Sequence, residues 1–165
     1  MALVTSEFAW RPDGYRIGVV SGSVAVGAED VYRPQQDSWL LIDALTGNDV
    51  VAGRRVVDLC AGSGVVAVAA AELGASEVTA LNISPSAVRC TQANAVAAQV
   101  DVDARLGSWT QALEYEPFDV VVCNPPYVPV APETSVGADV STSPAVSWHG
   151  GPDGRLILDL RADKP

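Results

Sequence analysis

Residues 118–123 form a Val-rich, largely apolar run, and two consecutive prolines, Pro125 and Pro126, follow it closely. A run of this kind predicts a strand that is buried on both faces, as in a parallel sheet. Each proline fixes its own φ and cannot donate a ladder hydrogen bond, so the strand has to end there. The sequence therefore places Asn124 at the carboxyl end of a central strand, where open α/β sheets bind their ligands.

Asn124 brings a specific hydrogen-bonding chemistry to that strand end. Its side-chain carbonyl and the backbone carbonyl that follows can both accept hydrogen bonds from a planar NH2 group. When both protons are held, the nitrogen lone pair points away and is free to attack an electrophile, and Tyr127 can stack on the flat group. Residues 124–127 therefore predict methyl transfer to an amide or to an exocyclic base nitrogen. The alternative is a proline-rich strand exit without chemistry.

Length and composition indicate a globular protein. The chain has 165 residues, enough for one domain with a substantial core, and it is 48% hydrophobic with only 18% charged residues. These values exclude a disordered chain. The net charge of −10 argues against a nucleic-acid surface, because neutralising phosphates requires clustered Lys and Arg. The same charge also has a simpler interpretation as a means of solubility.

The cysteines and the apolar stretches bear on the compartment. Cys60, Cys90 and Cys123 are odd in number, widely spaced and set in apolar sequence, which predicts reduced thiols of a cytoplasmic protein and no metal site. A charged segment followed by a long apolar one is absent at the start, so we expect no export. The longest apolar stretch, residues 65–71, is too short to span a bilayer, and no membrane contact is expected.

The pattern of the chain alternates between strands and helices. The predicted elements are a hairpin within 15–27 around Ser21-Gly22, a helix from Pro34 to Gly47, strands at 54–59, 77–81, 100–106 and 118–123, helices at 64–73, 84–98 and 153–160, and a mobile loop at 130–147. Such alternation implies right-handed crossovers and a mostly parallel sheet with helices on both faces, an α/β fold. The strands at 54–59 and 118–123 are predicted to be neighbours, which brings Asp58 and Asn124 to one edge.

A glycine turn joins the first of these strands to its helix. Gly62 and Gly64 allow the backbone to approach a ligand, and the helix N-terminus directs its free amides there, although a tight structural turn is the alternative. Ala67 stands where the dinucleotide fingerprint requires a third glycine. Asp58 suits a nucleoside or an amino acid better than a pyrophosphate, which it would repel. Asn82 ends the next strand, where an acidic group usually binds ribose hydroxyls.

Four separated segments carry a family resemblance: residues 31–38, 58–64, 124–127 and 148–154. Together they resemble the class I S-adenosylmethionine-dependent methyltransferases, and more narrowly the HemK-like release-factor glutamine methyltransferases. The resemblance implies a Rossmann-like methyltransferase fold, S-adenosylmethionine as cofactor, and methylation of a glutamine in a peptide chain release factor, with an activating partner subunit as a further option. An adenine amino group in DNA or RNA is the alternative substrate. A non-catalytic remnant or binding module is the third hypothesis.

The resemblance also implies two groups of site residues. The cofactor would be held by Ser38, Asp58, Cys60, Gly62, Gly64, Asn82, Ser108, Trp109 and Asn124. The substrate amide would be positioned by the catalytic residues Asn124, Pro125, Pro126 and Tyr127. Asp58 and the glycine turn would contact the methionine part of the cofactor, Asn82 the ribose, and Ser108 and Trp109 the adenine. Asp37 and Ser38 have the alternative role of capping a helix turn.

The chain departs from the family pattern in three respects. The family usually has Asp at the positions of Asn82 and Ser108, so weaker cofactor binding is expected. Cys60 stands where the family often has Gly. The sequence ends at Pro165, before further strands that the family's sheet normally has. We therefore expect one incomplete domain over 1–165 that lacks the C-terminal strands. It would consist of an N-terminal hairpin and helix at 1–47 and a cofactor-binding core at 53–165.

Overall fold

The computed structural model of the chain describes residues 9–10, 16–17, 31–130 and 147–157. In chain order, the elements of this part are β1 (Ala9–Trp10), β2 (Arg16–Ile17), α1 (Gln36–Asn48), β3 (Arg55–Leu59), α2 (Val65–Glu72), β4 (Glu77–Asn82), α3 (Pro85–Ala98), β5 (Asp103–Leu106), a 3-10 helix (Trp109–Glu114) and β6 (Val120–Cys123). The short strands β1 and β2 pair with each other in antiparallel fashion.

The other four strands form one sheet in the order β5-β4-β3-β6, and every pairing in it is parallel. β3 lies between β4 and β6, and Leu59 of β3 is opposite Cys123 of β6. The predicted α/β class and the predicted adjacency of these two strands are confirmed. The prediction that the strand at 118–123 is central and buried on both faces is wrong, because β6 lies at the edge of the described sheet and Val121 is 61% exposed. Because parallel strands end at the same edge of a sheet, the pairing brings Asp58 and Asn124 to one side of the molecule.

The core forms where α2 packs on β3 and β4. Val56 and Val57 of β3 are almost completely buried. Residues 65–70 of α2 are buried all around the helix, and their small Ala and Val side chains allow the helix to lie close to the sheet. Ile42 and Leu45 of α1 join the same cluster. The segment before α1 is thereby held beside the strand ends.

The two ends of α1 differ from the prediction. The helix begins at Gln36, after Gln35 as N-cap, and not at Pro34. It also passes through Gly47 and ends at Asn48, where Asp49 adopts the left-handed conformation with φ 49°. Asp tolerates that conformation better than most residues, so the chain does not need Gly47 as the terminating residue. By contrast, Ser84 caps α3 as predicted, with its hydroxyl accepting the Ala87 N–H at 3.4 Å.

The helix predicted at 153–160 is wrong for its described part, because residues 153–157 form turns. The backbone at 148–150 instead forms hydrogen bonds with Val128, which follows β6. Val128 N–H donates to Trp148 O at 2.9 Å, and Gly150 N–H donates to Val128 O at 2.8 Å. These bonds keep the 147–157 segment beside residues 128–130.

Two predictions fall largely outside the described residues. The turn predicted at Ser21-Gly22 lies there, and Arg16–Ile17 pairs instead with the upstream residues Ala9–Trp10. The loop predicted at 130–147 also lies outside, except at its two ends.

Gly64 shows why the turn between β3 and α2 requires a glycine. Its φ is +76°, and a Cβ added there would lie 2.5 Å from Thr91 Cγ2 of α3. Gly53 has a similar φ of +69°, but a Cβ added there would meet nothing within 4 Å. Both positions thus disfavour a side chain for the same backbone reason, whereas only Gly64 also has a packing reason.

We expect Gly64→Ala to destabilise the protein more than Gly53→Ala does. The left-handed backbone costs about 1–2 kcal/mol in either variant, and the overlap with Thr91 adds roughly 1–3 kcal/mol in Gly64→Ala alone. The free energy of unfolding in urea measures both effects. Equal losses in the two variants would contradict the role assigned to Thr91.

Candidate active site

A cavity of about 660 Å³ opens at the carboxyl edge of the sheet, a volume within the range of small-molecule sites. Ten of the predicted site residues line it: Ser38, Asp58, Cys60, Gly62, Asn82, Trp109, Asn124, Pro125, Pro126 and Tyr127. The other two predicted site residues, Gly64 and Ser108, do not line it. The segment before α1 contributes Tyr32, and the first turn of α1 contributes Asp37, neither of which was predicted as a site residue.

Asp58 is a buried carboxyl group at the end of β3. It is only 3% exposed, and its Oδ2 accepts the Ala67 N–H of α2 at 3.1 Å. Burial raises the pKa of Asp58 to about 7, and the hydrogen bond from Ala67 acts in the opposite direction. A cationic group in the cavity would offset the cost of this charge, because an opposite charge favours the ionised form.

The two glycines of the turn have different tasks. Gly64 packs against Thr91, whereas a Cβ added at Gly62, whose φ is +56°, would come no nearer than 3.9 Å to Cys60 O. Among the described residues, no neighbouring atom would therefore clash with a Cβ at position 62. Gly62 itself lines the cavity. The turn is also held by α3, because Asn94 Nδ2 of that helix donates to Ser63 O at 2.8 Å.

Asn82 and Ser108, where the family pattern has acids, are both engaged in local turns. Asn82 Oδ1 accepts the Ser84 N–H at 2.9 Å, so the group that remains on its side chain is the Nδ2 donor. Ser108 is the N-cap of the 3-10 helix, and its N–H donates to Gln111 Oε1 at 2.8 Å. Its hydroxyl contacts Thr110 Oγ1. Ser108 thus faces its own helix and not the cavity.

Cys60, Cys90 and Cys123 are free thiols. Cys60 directly follows β3, and Cys123 is the last residue of β6, opposite Leu59. The neighbouring Cys60 thiol and burial raise the pKa of the Cys123 thiol well above its ordinary value, so Cys123 stays protonated at neutral pH. Within the described ranges, no cluster of three His, Cys, Asp or Glu side chains could hold a metal ion. No helix in that part of the chain is both long and apolar enough to cross a membrane.

Asp37, in the first turn of α1, connects that helix to the exit of β6. Its Oδ2 accepts hydrogen bonds from Asn124 Nδ2 at 3.1 Å, from Tyr32 OH at 3.1 Å and from Tyr127 OH at 3.3 Å. Its Oδ1 accepts the Ser38 N–H at 2.7 Å. The carboxylate therefore has a local role at the helix start and a long-range role in the cavity.

The charge states in this group are well defined at neutral pH. Burial raises the pKa of Asp37, but the hydrogen bonds from Asn124, Ser38, Tyr32 and Tyr127 outweigh it, so the pKa lies below the ordinary value. Burial and the neighbouring Asp37 raise the pKa of Tyr32 to about 12. Asp37 is therefore ionised, while Tyr32 remains a donor. The signal in the sequence was the motif at 31–38, which gave no indication of the contact with Asn124.

Comparisons with known proteins agree with this geometry. Residues 32–141 match the model of the family described as "Methyltransferase small domain". The release factor glutamine methyltransferase of Xylella fastidiosa (strain Temecula1) is 36% identical, and the alignment covers 98% of this chain and 60% of that protein. Methyltransferase HEMK2 of Homo sapiens is 34% identical, with 84% of this chain and 66% of that protein covered. The HemK-like resemblance is confirmed, and the chain spans about two thirds or less of these two relatives.

Among solved structures, the T. thermophilus 16S rRNA N2 G1207 methyltransferase in complex with AdoMet and guanosine is similar in both fold and sequence. It is 31% identical with a TM-score of 0.52, and the match covers 66% of this chain and 29% of that chain.

Asp58→Asn tests the buried carboxyl group, because it removes the charge and keeps an acceptor for Ala67. The pKa of Asp58 rises from 3.8 to about 7 on folding. The contribution of this carboxyl group to stability is therefore complete below the unfolded-state pKa and is lost as the pH rises through the folded-state pKa. We expect the wild-type free energy of unfolding, relative to that of the variant, to fall by a few kcal/mol across this range, at about 1.36 kcal/mol per pH unit. Urea unfolding at several pH values measures it. A difference independent of pH would contradict the shift.

Proposed function

Because the chain belongs to the methyltransferase small domain family, we propose that it transfers the methyl group of S-adenosylmethionine to a planar amide nitrogen. The substrate is a glutamine side chain of a peptide chain release factor. One observation carries the proposal: the pairing of β3 with β6 puts Asp58 and Asn124 on the same cavity. Relatives named release factor glutamine methyltransferase support the choice of substrate.

The residues of the cavity suit this cofactor at its charged end. Asp58 is a buried carboxyl group that accepts a hydrogen bond from a backbone N–H. The ammonium and sulfonium groups of S-adenosylmethionine would supply positive charge beside it. Because Gly62 has no side chain, the cofactor could approach the backbone of the adjoining wall. Asn82 would reach a ribose hydroxyl with its Nδ2 donor. When bound, the cofactor supplies an electrophilic methyl group.

The substrate nitrogen is prepared by Asn124 and the backbone carbonyl that follows it. Both oxygens accept protons of the amide NH2, which directs the nitrogen lone pair away from them and toward the cavity. Tyr127 lies on the same wall and offers a flat face to the amide. Catalysis would consist mainly of positioning and of hydrogen bonds that are in place before the reaction.

A second candidate substrate is the exocyclic amino group of a nucleic-acid base. It is favoured by the similarity to a methyltransferase whose name gives N2 of G1207 in 16S rRNA as its target. The net charge of −10 argues against it, because a nucleic-acid surface needs clustered positive charge. The third hypothesis, a non-catalytic binding module, predicts that the chain fails to bind S-adenosylmethionine.

We expect Asn82→Asp to tighten binding of S-adenosylmethionine. A carboxylate at this position still accepts the Ser84 N–H with one oxygen and presents the other to the cavity in place of Nδ2. A charged hydrogen bond exceeds a neutral one by about 1 kcal/mol, which corresponds to roughly fivefold in Kd. Ser108→Asp is the control, because Ser108 does not line the cavity and its substitution should have less effect. Titration calorimetry measures both. Weaker binding by Asn82→Asp would show that this side chain does not face the ribose.

Asn124→Ala tests the proposed chemistry. It removes an acceptor of the substrate NH2 and leaves Asp58 and the glycine turn unchanged, so cofactor binding should persist while methyl transfer falls. Loss of one acceptor in a preorganised site costs about 2.7–4 kcal/mol, or about two to three decades in rate. The assay follows labelled methyl from S-adenosylmethionine to a release-factor glutamine peptide and, in parallel, to an adenine-containing oligonucleotide. Transfer by the variant at the wild-type rate would refute the role of Asn124. Labelling of the oligonucleotide alone would refute the choice of substrate.

A further inference from the structure

The three donors on Asp37 Oδ2 all belong to the wall that would receive the substrate. Asn124 and Tyr127 come from the exit of β6, and Tyr32 comes from the segment before α1. The contacts with Asn124 and Tyr127 span 87 and 90 residues of sequence. A carboxylate that served only the start of α1 would need just the Ser38 N–H, so these contacts call for another explanation.

We propose that Asp37 is a positioning residue that fixes the orientation of the Asn124 amide and thereby makes Asn124 an acceptor toward the substrate. The inference rests on the proposed function, because it gives Asp37 a part in the same reaction. It concerns the direction in which one amide points, which the family assignment does not address.

The mechanism depends on the polarity of the amide. An Asn side chain has a donor end, Nδ2, and an acceptor end, Oδ1. Asp37 is ionised and can only accept, so it binds Nδ2 of Asn124 and turns Oδ1 away from itself. The reversed amide would set Oδ1 against a carboxylate oxygen and leave a donor facing the substrate NH2. A charge-assisted hydrogen bond favours the productive orientation by about tenfold to a hundredfold.

The carboxylate is itself held in place at both of its oxygens. Oδ1 accepts the Ser38 N–H at 2.7 Å and the Ser38 hydroxyl at 3.4 Å, while Oδ2 faces Tyr32 and Tyr127 as well as Asn124. Asp37 also lies in the first turn of α1, where the helix dipole favours negative charge. Asp37 is therefore a suitable group to impose one direction on a neighbouring amide.

Replacing Asp37 by Asn changes the polarity with almost no change in shape. The Ser38 N–H still requires an acceptor, so the new amide at position 37 would present its Oδ1 there and its Nδ2 to the Asn124 side chain. Two donors would then face each other, and the Asn124 amide would reverse. The tyrosine hydroxyls can accept as well as donate, so they adapt to the change.

The orientation can be measured without any methyl transfer. In the ¹⁵N-labelled full chain, the Asn124 side-chain NH2 signals are identified by their loss in Asn124→Ala. We expect Asp37→Asn to shift these signals and to speed their exchange with solvent. Asp119→Asn is the matched control, because Asp119 accepts the Arg55 N–H outside the cavity, and it should leave the signals in place. Signals that do not move in Asp37→Asn would overturn the inference, whether or not the chain methylates glutamine.

The kinetic test uses an exchange of the two side chains. Asp37→Asn should lower kcat about tenfold to a hundredfold, the loss of one charge-assisted hydrogen bond, while the Kd for S-adenosylmethionine stays unchanged. Asp119→Asn should change neither quantity. The double variant Asp37→Asn/Asn124→Asp restores a donor facing a carboxylate with the roles reversed, and the second oxygen of the new carboxylate at position 124 still accepts from the substrate. We therefore expect it to regain much of the rate lost in Asp37→Asn.

Each outcome of the exchange bears on a different claim. A double variant that is slower than both single variants would overturn the inference, and so would losses that simply multiply. If Asp37→Asn does not fold, as judged by its melting curve, comparing the double variant with Asn124→Asp alone decides the question. If the wild-type chain methylates no glutamine peptide, the proposed function fails, and the NMR result alone decides whether Asp37 orients Asn124.

Discussion

The parallel pairing of β3 with β6 is the constraint on which the site depends. With Leu59 opposite Cys123, the two strands end together, and the polar residues Asp58 and Asn124 reach the same cavity. A shift of register by one residue would turn each side chain to the opposite face of its strand. The Val-rich strands hold this register because β3 is buried on both of its faces, so any slip would expose apolar surface and bury polar groups.

Two carboxyl groups on this cavity show how the surroundings set the chemistry of one residue type. Asp58 is nearly inaccessible and accepts from the Ala67 N–H, so desolvation dominates and its pKa rises. Asp37 has donors on both oxygens, and its pKa falls although burial acts against it. The first group therefore gains from a cationic ligand, whereas the second is already a stable anion. In the proposed function, Asp58 serves the cofactor and Asp37 serves the substrate side.

At both positions where the family pattern has an acid, this chain has a side chain that makes local hydrogen bonds. Asn82 uses its acceptor on Ser84, and Ser108 uses its polar groups at the start of the 3-10 helix. Both side chains satisfy backbone donors or neighbouring polar groups within a few residues, which is how Asn and Ser commonly act at turns. Of the two, only Asn82 lines the cavity, where its Nδ2 donor stands in place of the carboxylate of the family pattern.

The sequence by itself determined the parts of this protein that depend on short-range physics, and the tertiary structure decided what depends on distant partners. The apolar runs predicted the parallel strands, Ser84 with the proline after it predicted the start of α3, and the two prolines placed Asn124 at a strand end. These signals come from backbone conformation and hydrogen bonding within a few residues. By contrast, Thr91 gives Gly64 a packing reason in addition to its backbone conformation, and Asp37 contacts Asn124 across 87 residues. No local pattern encodes such contacts, because they exist only once strand order, register and helix packing have brought the groups together.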